Sequence, residues 1–203
     1  MSALPQVLAA AALALTAGAS TLAVGCLRRQ AGEAERPALF CALLGLGLAT
    51  ALGACRLASS IGIATGAAQV WFEQATLQLG VPLIALACLA SARGWHWSGP
   101  TWGRLLLGLC AFFELARQFG ASEPYALGLS LLSALLMTYA GLVRWPDRHA
   151  ALAGALGGLL LLAAAWAGPH GDVAATFALA LAAPLLALLL RRLGRSEEPL
   201  ANG

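Results

Sequence analysis

The chain has 203 residues, of which 60% are apolar and 10% are charged, and its formal net charge is +3. Soluble domains carry about a quarter charged residues, and the mean hydropathy of this chain is +0.80. These values exclude a soluble enzyme, a disordered tail, a nucleic-acid-binding protein and a disulfide-framed secreted domain. They indicate a multi-pass membrane protein whose surroundings are the lipid bilayer.

Seven long apolar segments are separated by clusters of Arg, Gly and Pro, and each reaches the length of about 20 residues that a membrane-spanning helix needs. We therefore expect an all-α membrane protein with a single bundle of seven transmembrane helices over residues 1–190 and a short cytoplasmic tail over 191–203. The segments cover residues 5–27, 38–58, 67–91, 102–120, 124–143, 150–168 and 172–190.

Positive charge follows the first segment, at Arg28 and Arg29, and none precedes it. A secretory signal peptide begins with basic residues. The first segment is therefore predicted to be an uncleaved helix whose N-terminus lies outside.

All 12 basic residues are arginines, and ten of them fall on one side of a seven-span chain. The loops on the other side, 59–66, 120–124 and 169–171, contain none. The positive-inside rule then predicts a cytoplasmic C-terminus in the cell inner membrane, and tryptophans at 95, 97, 102 and 145 fit an interfacial belt. The ten arginines are Arg28, Arg29, Arg36, Arg93, Arg104, Arg144, Arg148, Arg191, Arg192 and Arg195.

The remaining two arginines, Arg56 and Arg117, lie near the outer ends of the second and fourth helices. Glu73 and Glu114 each lie about 9 Å below the predicted outer boundary, at 1.5 Å rise per residue. Consecutive helices joined by a short loop usually pack side by side. We therefore expect the four charges to meet at one level across helices 2, 3 and 4.

Three interpretations of this level are open. The charges form a structural ionic clasp, or they line a polar cavity that opens to the outside, or they are interfacial and wet. Gln74 and Gln78 favour the cavity, because they share a helix face and continue the polar surface deeper into the membrane. Pro82, one turn after Gln78, predicts a kink in the third helix.

Candidate ligand-binding residues follow from this pattern, and Asp172 joins them from the outer start of helix 7, where it also suits a helix cap. No residue is assigned a catalytic or metal-binding role. The candidates are Arg56, Glu73, Gln74, Gln78, Glu114, Arg117, Gln118 and Asp172.

Cofactor chemistry has little support in the sequence. The three histidines fall in loops or at helix ends, whereas intramembrane haem needs an axial ligand within a helix. The five cysteines form no Cys-x-x-Cys motif, and hydrolase, metalloprotease and P-loop motifs are missing. We expect no cofactor, and the sequence gives no positive indication of an enzyme.

Two classes of function remain. The first is a protein that binds or transports a small-molecule ligand or protons through an outward-facing polar pocket at the outer ends of helices 2, 3 and 4. The second is a non-catalytic accessory or assembly subunit, bound to a membrane-protein partner, in which the charges form a structural clasp. The apolar inner halves of helices 3 and 4 favour a blind pocket over a conduction path, which needs polar groups along its length.

The predicted topology is tested by cysteine labelling in a cysteine-free background with a membrane-impermeant maleimide. Because the arginine loops are expected to face the cytoplasm, cysteines on the other side should react in intact cells and the rest only after lysis. Reaction of Ser122→Cys only after lysis would contradict the helix count. The outside positions are 62, 122 and 170, and the inside positions are 32, 98 and 196.

Overall fold

The computed structural model describes residues 4–167 and 173–194, which form seven long helices and, within these ranges, no strand. Six of the seven, all except α4, are long and apolar enough to cross a membrane. The predicted all-α membrane bundle is therefore confirmed. The helices are α1 (Leu4–Gln30), α2 (Arg36–Ser60), α3 (Gly66–Arg93), α4 (Gly99–Gln118), α5 (Ser122–Val143), α6 (Arg148–Ala167) and α7 (Val173–Gly194).

Helix α3 is the centre of the bundle. It packs against α2, α5 and α7, while α1 packs against α2 and α7, and α6 against α5 and α7. In the most apolar stretch of α3, 83% of the residues are buried, compared with 33% in the corresponding stretches of α1 and α5. The peripheral helices α1 and α5 therefore turn much of their apolar surface away from the protein, as lipid-facing helices do.

The helices alternate in direction, which gives the bundle two chemically different ends. Arg144, which follows α5, donates hydrogen bonds to Ser91 near the end of α3 and to Leu193 near the end of α7. We call this the arginine-rich end, because it also contains the loops 31–35 and 94–98 with their flanking arginines. The other end, with the loops 61–65 and 119–121, is called the arginine-poor end.

Helix α3 is interrupted by a π-helical turn at Thr76–Gly80, directly before Pro82. The backbone N–H of Val81 donates to the carbonyl of Thr76, five residues earlier. Pro82, which has no N–H to continue the regular ladder, follows this turn directly, and the kink in the helix axis stays a prediction. Such turns inside long helices often occur at functional sites.

Helices α2 and α3 touch through their backbones next to this turn. A Cβ atom added to Gly45 would lie 2.5 Å from the carbonyl oxygen of Gly80. A similar backbone contact at a glycine joins α1 and α2, where a Cβ on Gly53 would lie 2.6 Å from the backbone nitrogen of Ala14. In a membrane, where van der Waals packing drives helix association, such close approach depends on small residues.

Helix α4 is peripheral, and its only buried residues are Trp102 and Phe113. Its sequence is also the most charged of the seven, with Arg104, Glu114 and Arg117 in 20 residues. These charges distinguish α4 from the six helices that qualify as membrane spans by length and hydropathy. Helix α4 nevertheless connects the end of α3, at the arginine-rich end of the bundle, to the start of α5, at the arginine-poor end.

Tryptophan rings pack against one another at the loop between α3 and α4. The rings of Trp95 and Trp97 stack with centroids 5.4 Å apart, and Trp97 lies 5.4 Å from Trp102. Trp102 is almost fully buried, whereas Trp95 and Trp145 are exposed. The predicted interfacial belt is thus partly a packed cluster that fixes the start of α4.

We expect Gly45→Ala to destabilise the bundle, because the new methyl group would overlap the Gly80 carbonyl. Overpacking of a tight contact typically costs about 1–3 kcal/mol. The matched control is Gly47→Ala on the same helix, where a Cβ would meet nothing within 4 Å. Thermal unfolding of the purified protein in detergent measures both, and equal melting temperatures would contradict the backbone contact.

Candidate functional site

The arginine-poor end is organised around the side chain of Arg56. This side chain is 9% exposed, and its Nη2 lies 3.0 Å from Oε1 of Glu73, which is 22% exposed. Its Nη1 donates a hydrogen bond to the hydroxyl of Thr176. One guanidinium therefore ties α2 to α3 and α7.

The placement of Arg56 follows from helix geometry. It lies one turn before the end of α2, Glu73 is seven residues into α3, and Thr176 is three residues into α7. At 1.5 Å per residue these positions are about 4–11 Å from the respective helix ends. A charge at this depth is costly when unpaired, and the ion pair with Glu73 satisfies it.

A cavity of about 210 Å³ adjoins Arg56 at this end of the bundle. Polar side chains from four helices line it, and Arg56 is the charged one among the described lining residues. Glu73 is not one of the described lining residues; it forms the ion pair with Arg56. The lining residues are Gln6, Ala9, Arg56, Ser59, Ser60, Gln69, Val173 and Thr176.

One donor of the guanidinium is left without an acceptor. The Nε of Arg56 is buried and has no acceptor in the part of the chain that the structure describes. A buried donor without a partner costs free energy, and this cost is part of burying Arg56 between the helices.

The structure places the predicted glutamines apart from this cavity. Gln74 is half-buried on α3. Gln78 is 2% exposed and its Nε2 donates to the carbonyl of Ser122 at 3.1 Å, which joins the π turn to the start of α5. Its Oε1 is buried and has no donor among the described residues. Gln78 therefore bridges α3 and α5, as intramembrane glutamines commonly do.

The second predicted ion pair is local to α4. Arg117 forms a two-pronged contact with Glu114 at 2.8 and 2.9 Å, and Gln118 donates to the same carboxylate at 3.0 Å. The side chains of Arg117 and Glu114 are 53% and 42% exposed. Within residues 4–167 and 173–194, no recorded ion pair or hydrogen bond joins this group to Arg56 or Glu73.

The expected meeting of all four charges at one level is therefore not found. Glu114 and Arg117 lie on the exposed surface of α4, whereas the neighbouring Phe113 packs against Ala75 and Leu79 of α3. The spacing of the charges along the sequence predicts their depth, but it does not decide which side of α4 faces α3.

Asp172, the last predicted residue, lies outside the described residues. The structure adds five polar lining residues that the sequence analysis did not select. Of these, Thr176 carried a usable signal, because it is a polar residue within the otherwise apolar α7. The five are Gln6, Ser59, Ser60, Gln69 and Thr176.

The described residues contain no group of three or more His, Cys, Asp or Glu side chains that could hold a metal ion. Comparisons with protein-family models, with curated proteins and with solved structures each find no match to this chain. The fold and the site define the chain as a multi-pass helical membrane protein with a buried ion pair beside a polar cavity.

We expect Glu73→Gln to destabilise the protein, because it leaves Arg56 buried without its counter-charge. Breaking a buried ion pair by removing one partner costs about 3–5 kcal/mol. The double variant Arg56→Gln with Glu73→Gln should recover part of this loss, since it buries no unpaired charge. Equilibrium unfolding in mixed micelles gives the free energies.

The matched control for this prediction is Glu114→Gln, which breaks an exposed ion pair within one helix and should leave the unfolding free energy unchanged. If Glu73→Gln and Glu114→Gln behaved alike, the Arg56–Glu73 pair would not be the contact that holds this end together.

Proposed function

We propose that this protein is a multi-pass protein of the cell inner membrane, with its N-terminus outside, that binds a small polar ligand in the cavity beside Arg56. The observation that carries the proposal is a guanidinium that is nine-tenths buried, held by Glu73 and Thr176, and adjacent to a cavity with polar walls from four helices. A structural clasp alone requires the ion pair but not the surrounding hydroxyl and amide groups.

The size and charge of the cavity restrict its ligand. Drug-sized ligands occupy pockets of about 300–1,000 Å³, and this cavity has about 210 Å³. Among the lining residues that the structure describes, Arg56 carries the only formal charge. A small molecule that presents a carboxylate or carbonyl oxygen to Arg56, and hydroxyl or amide groups to Gln69 and Ser60, fits these walls best.

The position of the cavity favours binding from one side of the membrane over conduction through it. From Leu79, near the end of the π turn, to Leu89, α3 is apolar and is buried along most of this stretch. A translocation path needs polar groups or water along its length. Ligand or proton transport would thus require a rearrangement of α3, and the π turn before Pro82 is the natural place for it.

A second candidate function, that of an accessory or assembly subunit, is favoured by the surface of α4. This helix exposes Leu107, Phe112 and Leu115 next to the exposed pair Glu114–Arg117. Charged side chains that face lipid are costly, so a membrane-protein partner that covers this face would lower that cost. The two functions use different helices and can be separated by mutation.

A ligand panel tests the first function. The purified protein is screened by thermal unfolding against small carboxylates and amides at millimolar concentration. A ligand that binds only the folded state stabilises it by about 2.7 kcal/mol at a concentration of 100 Kd. We expect at least one member of the panel to stabilise the wild type and to lose this effect in Thr176→Leu, which fills the cavity while leaving the ion pair with Glu73 in place.

The matched control is Arg117→Gln, which disrupts the exposed ion pair on α4 and should retain the ligand effect in full. A ligand that stabilises Thr176→Leu as much as the wild type would contradict the site. If Arg117→Gln instead released a co-purifying membrane protein while ligand binding was missing, the accessory function would replace the proposal.

A further inference from the structure

A larger cavity lies at the arginine-rich end, where the sequence analysis predicted no site. It has a volume of about 570 Å³ and is formed by the loop between α5 and α6 together with the last turn of α7. Its lining residues are Val143, Arg144, Trp145, Pro146, Asp147 and Arg192. Two guanidinium groups thus contribute to one cavity from two separate parts of the chain.

Arg144 is held in place by the helix ends around it. Its Nη2 donates to the carbonyls of Ser91 at 3.4 Å and Leu193 at 3.3 Å. Its Nε is buried without an acceptor among residues 4–167 and 173–194. The carbonyls fix the side chain but do not neutralise its charge, so Arg144 is a pre-positioned cation beside the cavity.

The acidic residue among the described lining residues caps a helix. Oδ1 of Asp147 accepts hydrogen bonds from the backbone N–H groups of His149 and Ala150, which caps the start of α6. The described lining thus combines two guanidinium groups with one carboxylate, and its formal charge is positive.

An apolar path leads from this cavity along the exposed face of α5. Leu131, Leu135, Tyr139 and Leu142 follow each other at spacings of three or four residues, and all are exposed. Residues at these spacings share one face of a helix. Trp145 is 67% exposed at the cavity itself, in the position where membrane proteins place an interfacial tryptophan.

The guanidinium of Arg93 lies next to the exposed apolar face of α5. It lies 5.2 Å from the centroid of the Tyr139 ring and donates to the hydroxyl of Tyr139. Arg93 thus adds a positive charge beside Tyr139 on the apolar face. A ligand with an anionic head and apolar chains would match both features.

We infer that the cavity between Arg144 and Arg192 binds the phosphate headgroup of an anionic phospholipid, whose acyl chains lie along the exposed face of α5. Arginine pairs phosphate oxygens through charge-assisted, often two-pronged hydrogen bonds, and basic pockets between transmembrane helices recognise lipid headgroups in this way. A free phosphate ion would share the headgroup chemistry but would gain nothing from the apolar path.

The test compares lipids with identical chains on the purified full-length protein. Native mass spectrometry and thermal unfolding are recorded with phosphatidylglycerol, with phosphatidylcholine and with inorganic phosphate. We expect tighter binding of phosphatidylglycerol than of phosphatidylcholine, and we expect Arg192→Gln to weaken phosphatidylglycerol binding about tenfold, the loss typical of one charge-assisted hydrogen bond. Arg192→Glu should abolish the preference.

Arg191→Gln is the matched control, because it removes the same charge from the adjacent residue, which does not line the cavity. It should retain the preference for phosphatidylglycerol. Equal losses in Arg191→Gln and Arg192→Gln would overturn the site in favour of diffuse electrostatic attraction. Equal binding of the two lipids would overturn it as well, as would protection by inorganic phosphate as strong as that by the lipid. Unfolding in phosphatidylcholine checks that each variant is folded.

Discussion

The burial of the Arg56 guanidinium constrains the arginine-poor end of the bundle. A cation that is nine-tenths buried between helices needs a counter-charge and hydrogen-bond acceptors close by, and Glu73 and Thr176 supply them from two other helices. Because breaking such a pair leaves an uncompensated charge, α2, α3 and α7 are held in one arrangement. The cavity with its polar walls exists because these three helices, together with α1, are fixed around one side chain.

This arrangement also depends on close backbone packing deeper in the bundle. Gly45 and Gly80 bring α2 into contact with α3 next to the π turn. The turn lies between Glu73 and the apolar half of α3. A central helix with such an irregularity can change conformation more easily than a regular one, which is relevant to any ligand-dependent movement of α3.

The two ends of the protein present different chemistry to their surroundings. The arginine-poor end has one buried cation that is neutralised by its own ion pair, next to hydroxyl and amide groups. The arginine-rich end has several cations, of which Arg144 is fixed by helix carbonyls. We propose that the first binds a small polar molecule and that the second binds an anionic lipid headgroup. Both proposals use the same property of arginine, which remains charged even when it is buried.

The sequence by itself determined the class of the fold, the number of long helices and the sorting of arginines to one end. These properties follow from composition and from the length of apolar runs, because a bilayer admits only segments that satisfy their own backbone hydrogen bonds. It also identified Arg56 and Glu73 as unusual, since a charge within an apolar segment requires a partner. Only the tertiary structure decided which charges meet. Arg56 pairs with Glu73 across helices and Glu114 pairs with Arg117 within α4, because Glu114 and Arg117 lie on the exposed surface of α4 while Phe113 packs against α3. The two cavities were likewise decided by packing, since Gln6, Thr176 and Arg192 are distant in the chain from the residues with which they line a surface, and no periodicity in the sequence connects them.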